Sequence, residues 1–282
     1  MITGTSTLII MQSTVNYEIH SKEKFYFIFK VLAAVAGYAL FYWIISLAFS
    51  NPKSAAAFVP LLFYVVLIIL YLIFRMGILT GYLMGNAVKV SEVQFPEIHQ
   101  IVAKQSSLLG LKNIPDVYIL QSGGALNAFA MRFFGANYVV LYADIVEEAL
   151  NEDINALKFI IGHELGHIKC NHMIKFVWLF PAFVVPFLNS AYSRACEYTC
   201  DNIGHALCPQ GVRPGLLILA SGKVIWKKVN QQAFIDQEVY GGGFWFWFAE
   251  KVSTHPRLTK RIGRFEEVEV RENEVVEYAF TP

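Results

Sequence analysis

The chain has 282 residues, 55% of them hydrophobic and only 16% charged, against about 25% charged in ordinary soluble domains. That composition excludes a disordered chain and a coiled coil. With 23 basic and 22 acidic residues the formal net charge is +1, too weak a field to recruit nucleic acid. Four cysteines, none in a C-x-x-C pair, are too few for a disulfide scaffold and carry no redox or zinc-ribbon signature.

In chain order, a polar leader over residues 1–30 comes first. No charge interrupts Val31–Phe49 or Ser54–Phe74, and Lys30, Lys53 and Arg75 bracket the two runs. Each run meets the roughly 20 apolar residues that a bilayer core requires of a helix. Phe25, Tyr26, Tyr42, Trp43 and Tyr71 suit the interfacial belts. The pattern predicts a transmembrane hairpin over residues 31–75, with the lipid bilayer as its partner. The first apolar stretch starts too late for a cleavable signal peptide, so the hairpin is expected to be a retained anchor. Lys22, Lys24 and Lys30 before the hairpin, and Arg75 and Lys89 after it, outweigh the single Lys53 in its loop. The positive-inside rule then expects both leader and C-terminal part on the cytoplasmic side of a cell (inner) membrane. Unpaired cysteines fit that reducing compartment.

Residues 90–282 read as a globular domain large enough for its own core. Helical spacing over residues 92–109 is closed by Gly110. Pro115 opens a strand, Val117–Leu120, and further strands are expected at Leu126–Met131 and Tyr138–Tyr142, around a turn at Gly135–Asn137. A helix over residues 152–175 is entered through Asn151, with Glu152 and Asp153 in its first turn. Phe176–Leu188 contains Pro181 and Pro186 and is too short to span; it fits a core, re-entrant or interfacial segment. Gly241–Gly243 precede Phe244–Phe248, which reads as a hinged apolar flap, a membrane-surface contact or a packed aromatic cluster. Glu266–Glu277 reads as a solvated face. The expected fold class is α+β, mainly α.

The sharpest chemical signal is His163-Glu164-Leu165-Gly166-His167. Histidines four apart differ by about 40° around a helix, so both imidazoles project from one face. That geometry grips one Zn²⁺ and leaves Glu164 on the flank to handle a water. A catalytic zinc needs a third protein ligand. His172, five residues beyond His167, should point about 140° away on a continuous helix and so not contribute. Glu197 is the better candidate, with Asp201 one turn further along the same face. Asp201 is of the type that orients a ligating histidine through its other ring nitrogen. The bland alternative is a surface Glu–Asp pair with Arg194 as counter-ion.

Four blocks carry a resemblance: Leu126-Asn127-Ala128-Phe129-Ala130; the two-histidine motif; Ser193-Arg194 through Asp201; and Ser253-Thr254-His255-Pro256 followed by Arg261-Ile262. Their order and spacing resemble the HtpX-type membrane zinc metallopeptidases, of the same broad family as the CaaX prenyl proteases and the mitochondrial inner-membrane stress protease. The resemblance implies a gluzincin-type domain with a small β-sheet, and one zinc per chain held by His163, His167 and Glu197. It further implies Glu164 as general base and then acid, and Asp201 as the buttress of a ligand. Asn127, Ala128 and Phe129 would lie on a strand beside the cleft, where an extended polypeptide could pair. His255 would face the metal, either stabilising an oxyanion or capping the zinc in a resting state; Arg261 could assist, although an arginine on a terminal helix is usually a surface charge. HtpX-like chains usually carry a second transmembrane pair between the two zinc motifs, where this chain has only the proline-broken run. The expected function is a membrane-anchored endopeptidase acting on misfolded or membrane-associated proteins. A non-enzymatic membrane holdase and a hydrolase dedicated to one precursor are the alternative readings.

Overall fold

A computed structural model describes residues 15–121, 123 and 127–266; Leu126 and most of Glu266–Glu277 lie outside them. Helices α1 (Ser21–Ala48) and α2 (Pro52–Asn86) form the hairpin. Asn51 caps α2 by accepting from the Ser54 amide at 3.0 Å, with Pro52 just inside the helix, where its missing N–H costs nothing. Both helices are apolar on every side, and only 6% and 0% of their most apolar windows are buried in protein. Helices of this length and character are suited to lipid.

Both helices run beyond the uncharged stretches because their ends pack on the remainder of the chain. The start of α1 lies against α7 (Leu188–Leu207), burying Glu23 and Lys30. The end of α2 covers one face of the sheet, where Leu83 packs with Met131 and Val140.

The sheet has four strands, β1 (Val88–Lys89), β2 (Asp116–Leu120), β3 (Ala128–Phe133) and β4 (Ala136–Tyr142), in the order β1-β2-β4-β3. β2 and β4 run parallel, and the other two pairs are antiparallel. The β3–β4 turn is Phe134-Gly135, at φ 45° and 86°. Two consecutive positive φ values give the tight hairpin turn whose twist suits paired strands. The turn therefore falls just ahead of the expected position, and β3 extends two residues beyond the expected Met131. The opposite face of the sheet joins α3 (Pro96–Leu108), α4 (Ala143–Asn151), α5 (Ile154–Lys169) and α8 (Val212–Ser221) in the main core, around Ile98, Val139, Leu141, Ile145, Leu157 and Leu216.

The helix expected over residues 152–175 is two helices. Asp153 caps α5 through the Asn155 amide at 2.9 Å, and α5 ends at Lys169. Asn171 takes a left-handed conformation (φ 55°) and α6 (His172–Trp178) sets off in a new direction.

α5 and α7 make an extensive contact, brought close by glycine. A Cβ on Gly204 would stand 2.8 Å from the Phe159 ring and 3.0 Å from its carbonyl oxygen; one on Gly166 would stand 3.2 Å from Cys200 Sγ. Absent side chains at these points let the helices touch backbone to backbone. Gly204→Ala is accordingly expected to destabilise the fold by about 1–3 kcal/mol through overpacking, read as a lower thermal unfolding midpoint. An unchanged midpoint would contradict so close a crossing. α9 (Gln231–Tyr240), α10 (Phe244–Val252) and a helix over residues 258–266 close the described chain.

Candidate metal centre

The glycine-lined crossing turns one face of α5 towards one face of α7. His163 Nε2 and His167 Nε2 stand 3.3 Å apart. The Glu197 carboxylate reaches across from α7, one oxygen 3.3 Å from His163 Nε2 and the other 3.4 Å from His167 Nε2. Four tetrahedral bonds of about 2.0–2.1 Å hold their donor atoms about 3.3–3.4 Å apart. The three side chains thus fit a zinc ion in the spacing of their donors.

Cys200 offers a competing donor, with Sγ within 4.8 Å of a nitrogen of each histidine. Burial pushes its thiol well above the usual range, so a metal would have to displace a tightly held proton to bind there. Glu197 is buried too, yet hydrogen bonds to His163 and His167 hold its carboxyl well below the usual range. The carboxylate is the better donor.

Each histidine also has a partner for its other nitrogen. His163 Nδ1 lies 2.9 Å from Asp201 Oδ1. Asp201 in turn accepts from Arg261 Nη2 at 2.6 Å and Nε at 2.9 Å. Arg261 is buried, not the surface charge expected of it, and its fork neutralises an aspartate with no access to water. Arg194 is no counter-ion here: it donates to the Lys251 and Ser253 carbonyls. His167 Nδ1 lies 3.1 Å from His172 Nδ1, and His172 Nε2 lies 3.1 Å from Glu23 Oε1 on α1.

The 140° estimate for His172 assumed one continuous helix. The break at Asn171 swings its ring back onto His167. Burial lowers the His172 pKa, keeping the ring neutral, which suits a residue accepting at one nitrogen and donating at the other. On sequence alone His172 is set aside and Glu23 is not singled out; a left-handed asparagine is hard to foresee, and nothing in the leader marks Glu23.

Burial disfavours a charged His163, but hydrogen bonds to Asp201 and Glu197 outweigh it and push its pKa up to about 10. A metal must displace that proton. Metal affinity is therefore expected to rise about tenfold per pH unit from neutrality towards pH 10, measured by competition with a chelator of known proton affinity. A flat profile would contradict the assignment of His163.

Glu164, buried on α5, lines the same cleft of about 220 Å³ as His163, His167 and Glu197. Asn127, Ala128 and Phe129 form its wall. Asn127 accepts from the Tyr142 amide at 3.0 Å and so holds the start of β3 in register. β3 is one of the two edge strands. His255 stands at the mouth, two-thirds exposed, with Nε2 3.5 Å from Glu197 Oε1. A larger cavity of about 890 Å³, lined by His20, Tyr26, Arg194, Tyr198 and Glu238, lacks this convergence of donors.

The chain matches the model of peptidase family M48 over residues 92–180 and 177–269, together more than half its length. It belongs to peptidase family M48. This is a family of metallopeptidases, and the membership agrees with the HtpX-type resemblance of the four sequence blocks. The chain is 27% identical over 175 residues to the plastoglobule-localized metallopeptidase 48, chloroplastic, of Arabidopsis thaliana, covering 54% of this chain and 48% of that protein. It is 35% identical over 65 residues to a CAAX prenyl protease 1 homolog of Dictyostelium discoideum, covering 23% and 15%. The chain thus spans about half the length of the first relative and less of the second. The crystal structure of S. mikatae Ste24p aligns with a TM-score of 0.43 at 14% identity, over 88% of this chain and 67% of that one.

Proposed function

We propose that this M48 chain is a membrane-anchored, zinc-dependent endopeptidase, with residues 31–75 as its membrane hairpin and residues 90–282 as its peptidase domain. The observation that carries the reading is the His163, His167 and Glu197 donor set at zinc spacing, with Glu164 in the same cleft. His163, His167 and Glu197 hold one zinc per chain. When bound there, zinc supplies Lewis acidity, acidifying a water and polarising the scissile carbonyl.

The protein's own groups do the remaining work. Glu164 takes the proton of the attacking water on its carboxylate and delivers it to the departing amine nitrogen. His255, at the mouth of the cleft, donates to the developing oxyanion. The free edge of β3 pairs with an extended stretch of polypeptide, whose main chain supplies the hydrogen bonds and whose side chains are little inspected. That mode of binding suits unfolded stretches of many proteins, and the anchor brings the cleft close to membrane-associated ones. Quality control of misfolded or membrane-associated proteins at the cytoplasmic face of a cell membrane follows as the role.

The test is digestion of casein by the detergent-purified full chain. Cleavage is expected, lost on chelation and restored by zinc. Absence of any chelator-sensitive cleavage would leave the holdase reading standing instead.

A further inference from the structure

The segment Phe176–Val185 packs chiefly on α1, with a smaller contact to the start of α7. It lies along α1, well beyond the point where the uncharged run begins. Lys30, the last charge before that run, donates to Asn189 Oδ1 at 2.7 Å and sits among the rings of Phe176, Phe183 and Tyr192. Past it, the Tyr38 hydroxyl donates to the Trp178 carbonyl at 2.9 Å. Pro181 fits against Gly37 so closely that a Cβ on that glycine would stand 2.6 Å from the proline ring. Gly37 lies six residues after Val31, which at about 1.5 Å per residue is about 9 Å further along the helix. A leaflet of hydrocarbon is about 15 Å deep.

The faces turned away from α1 are bare and apolar: Val184 is 81% exposed and Trp178 70%. Whatever covers the bare sides of α1 at this level must cover these residues too. The backbone is equipped for such a place. The turn closes its own hydrogen bonds, from the Leu179, Ala182 and Val185 amides. Pro181 and Pro186 remove two N–H groups that hydrocarbon could not satisfy.

At the level of Asn189, α10 lies beside the N-terminal end of α7. Ser190 Oγ donates to the Val252 carbonyl, and the Phe248 ring meets Phe187 edge-on at 6.2 Å. α10 buries no side chain, and Trp245 is 77% exposed. The rings pack on one another but are not buried in the core, which fits tryptophans in an interfacial layer.

We propose that residues 176–187 dip into the bilayer as a re-entrant segment packed on α1, with α10 lying in the headgroup layer beside it. This rests on reading α1 and α2 as membrane-spanning. The footprint fixes the peptidase domain against the membrane surface at two further points, so that the cleft keeps one height and tilt above the lipid.

The test uses single-tryptophan forms of the full chain in vesicles whose phospholipids are brominated along the acyl chains. Trp43, six residues inside the Phe49 end of the uncharged run and so deeper than an interfacial belt, is the positive control; Trp226, hydrogen-bonded to Glu148 in the domain, is the negative one. Trp178 is expected to be quenched as Trp43 is, Trp245 partly, and Trp226 not at all. Quenching of Trp43 with none of Trp178 overturns the inference; no quenching of Trp43 overturns the membrane reading beneath it. Should the replacements impair folding, V184C and V224C are compared in the otherwise native chain. Their parent residues are equally exposed in the protein, at 81% and 78%. In vesicles, V184C is expected to react at least tenfold more slowly with a charged maleimide. Equal rates overturn the proposal, as does a protected V184C beside an unquenched Trp178, which assigns the cover to protein.

Discussion

Glu164→Gln is expected to leave the chain with its zinc and to lower its proteolytic rate by about 10²–10⁴-fold, the usual contribution of a positioned general base. Glutamine keeps the size and hydrogen-bonding reach of the side chain but cannot accept the proton of the attacking water. The metal should stay because its three donors are on other residues. Glu164 is buried one position after His163 on α5, so the substitution asks nothing new of the packing. Both quantities must be read on one preparation, rate against casein and zinc by elemental analysis. Loss of zinc together with rate would make Glu164 a structural part of the centre. Full activity at full zinc would remove it from the mechanism.

The second large effect concerns residues that touch no substrate. With zinc held through the Nε2 atoms, as proposed, each histidine would carry its proton on Nδ1. His163 would then donate to Asp201, and His167 to His172, which would donate in turn to Glu23 on α1. Partners of this kind fix ring orientation and raise ligand basicity, and their loss typically costs 10–100-fold in metal affinity. Asp201→Asn and Glu23→Gln are each expected to fall in that range in chelator competition. Asp201→Asn should also destabilise the fold, because it strips the buried Arg261 of its counter-charge. Glu23→Gln should not, since Lys175, its cationic neighbour at 3.7 Å, is partly exposed. Unchanged affinity in Glu23→Gln would show that α1 lends the centre nothing, and that the contact is only packing.

The parts of the fold legible from sequence were those governed by long-range periodicity. Uncharged runs of span length marked α1 and α2, and the i, i+4 histidines required a helix that the apolar spacing ahead of them supplied. The pair Glu197 and Asp201 was readable because a zinc centre needs a third donor and a histidine needs support, both one turn apart on a helix. What escaped depended on single backbone events or on contacts between distant segments. Asn171 ends α5 by going left-handed, which no periodicity records, and that one residue turns His172 from an outward-facing bystander into the neighbour of His167. Arg261 looked like a surface charge because a terminal helix usually has a wet side; only the tertiary fold brings it over Asp201. Glu23 belongs to a leader with no chemical signature of its own. The aromatic run Phe244–Phe248 was ambiguous since its composition is the same for a core and for a membrane interface, and only its placement beside α7 separates them.

The central claim is that His163, His167 and Glu197 hold one zinc ion, and X-ray absorption at the zinc edge of the purified full chain tests it most directly. The expected spectrum has only nitrogen and oxygen donors, at about 2.0–2.1 Å, with the outer scattering of two imidazoles. A sulfur donor at about 2.3 Å, which Cys200 is placed to provide, would contradict it.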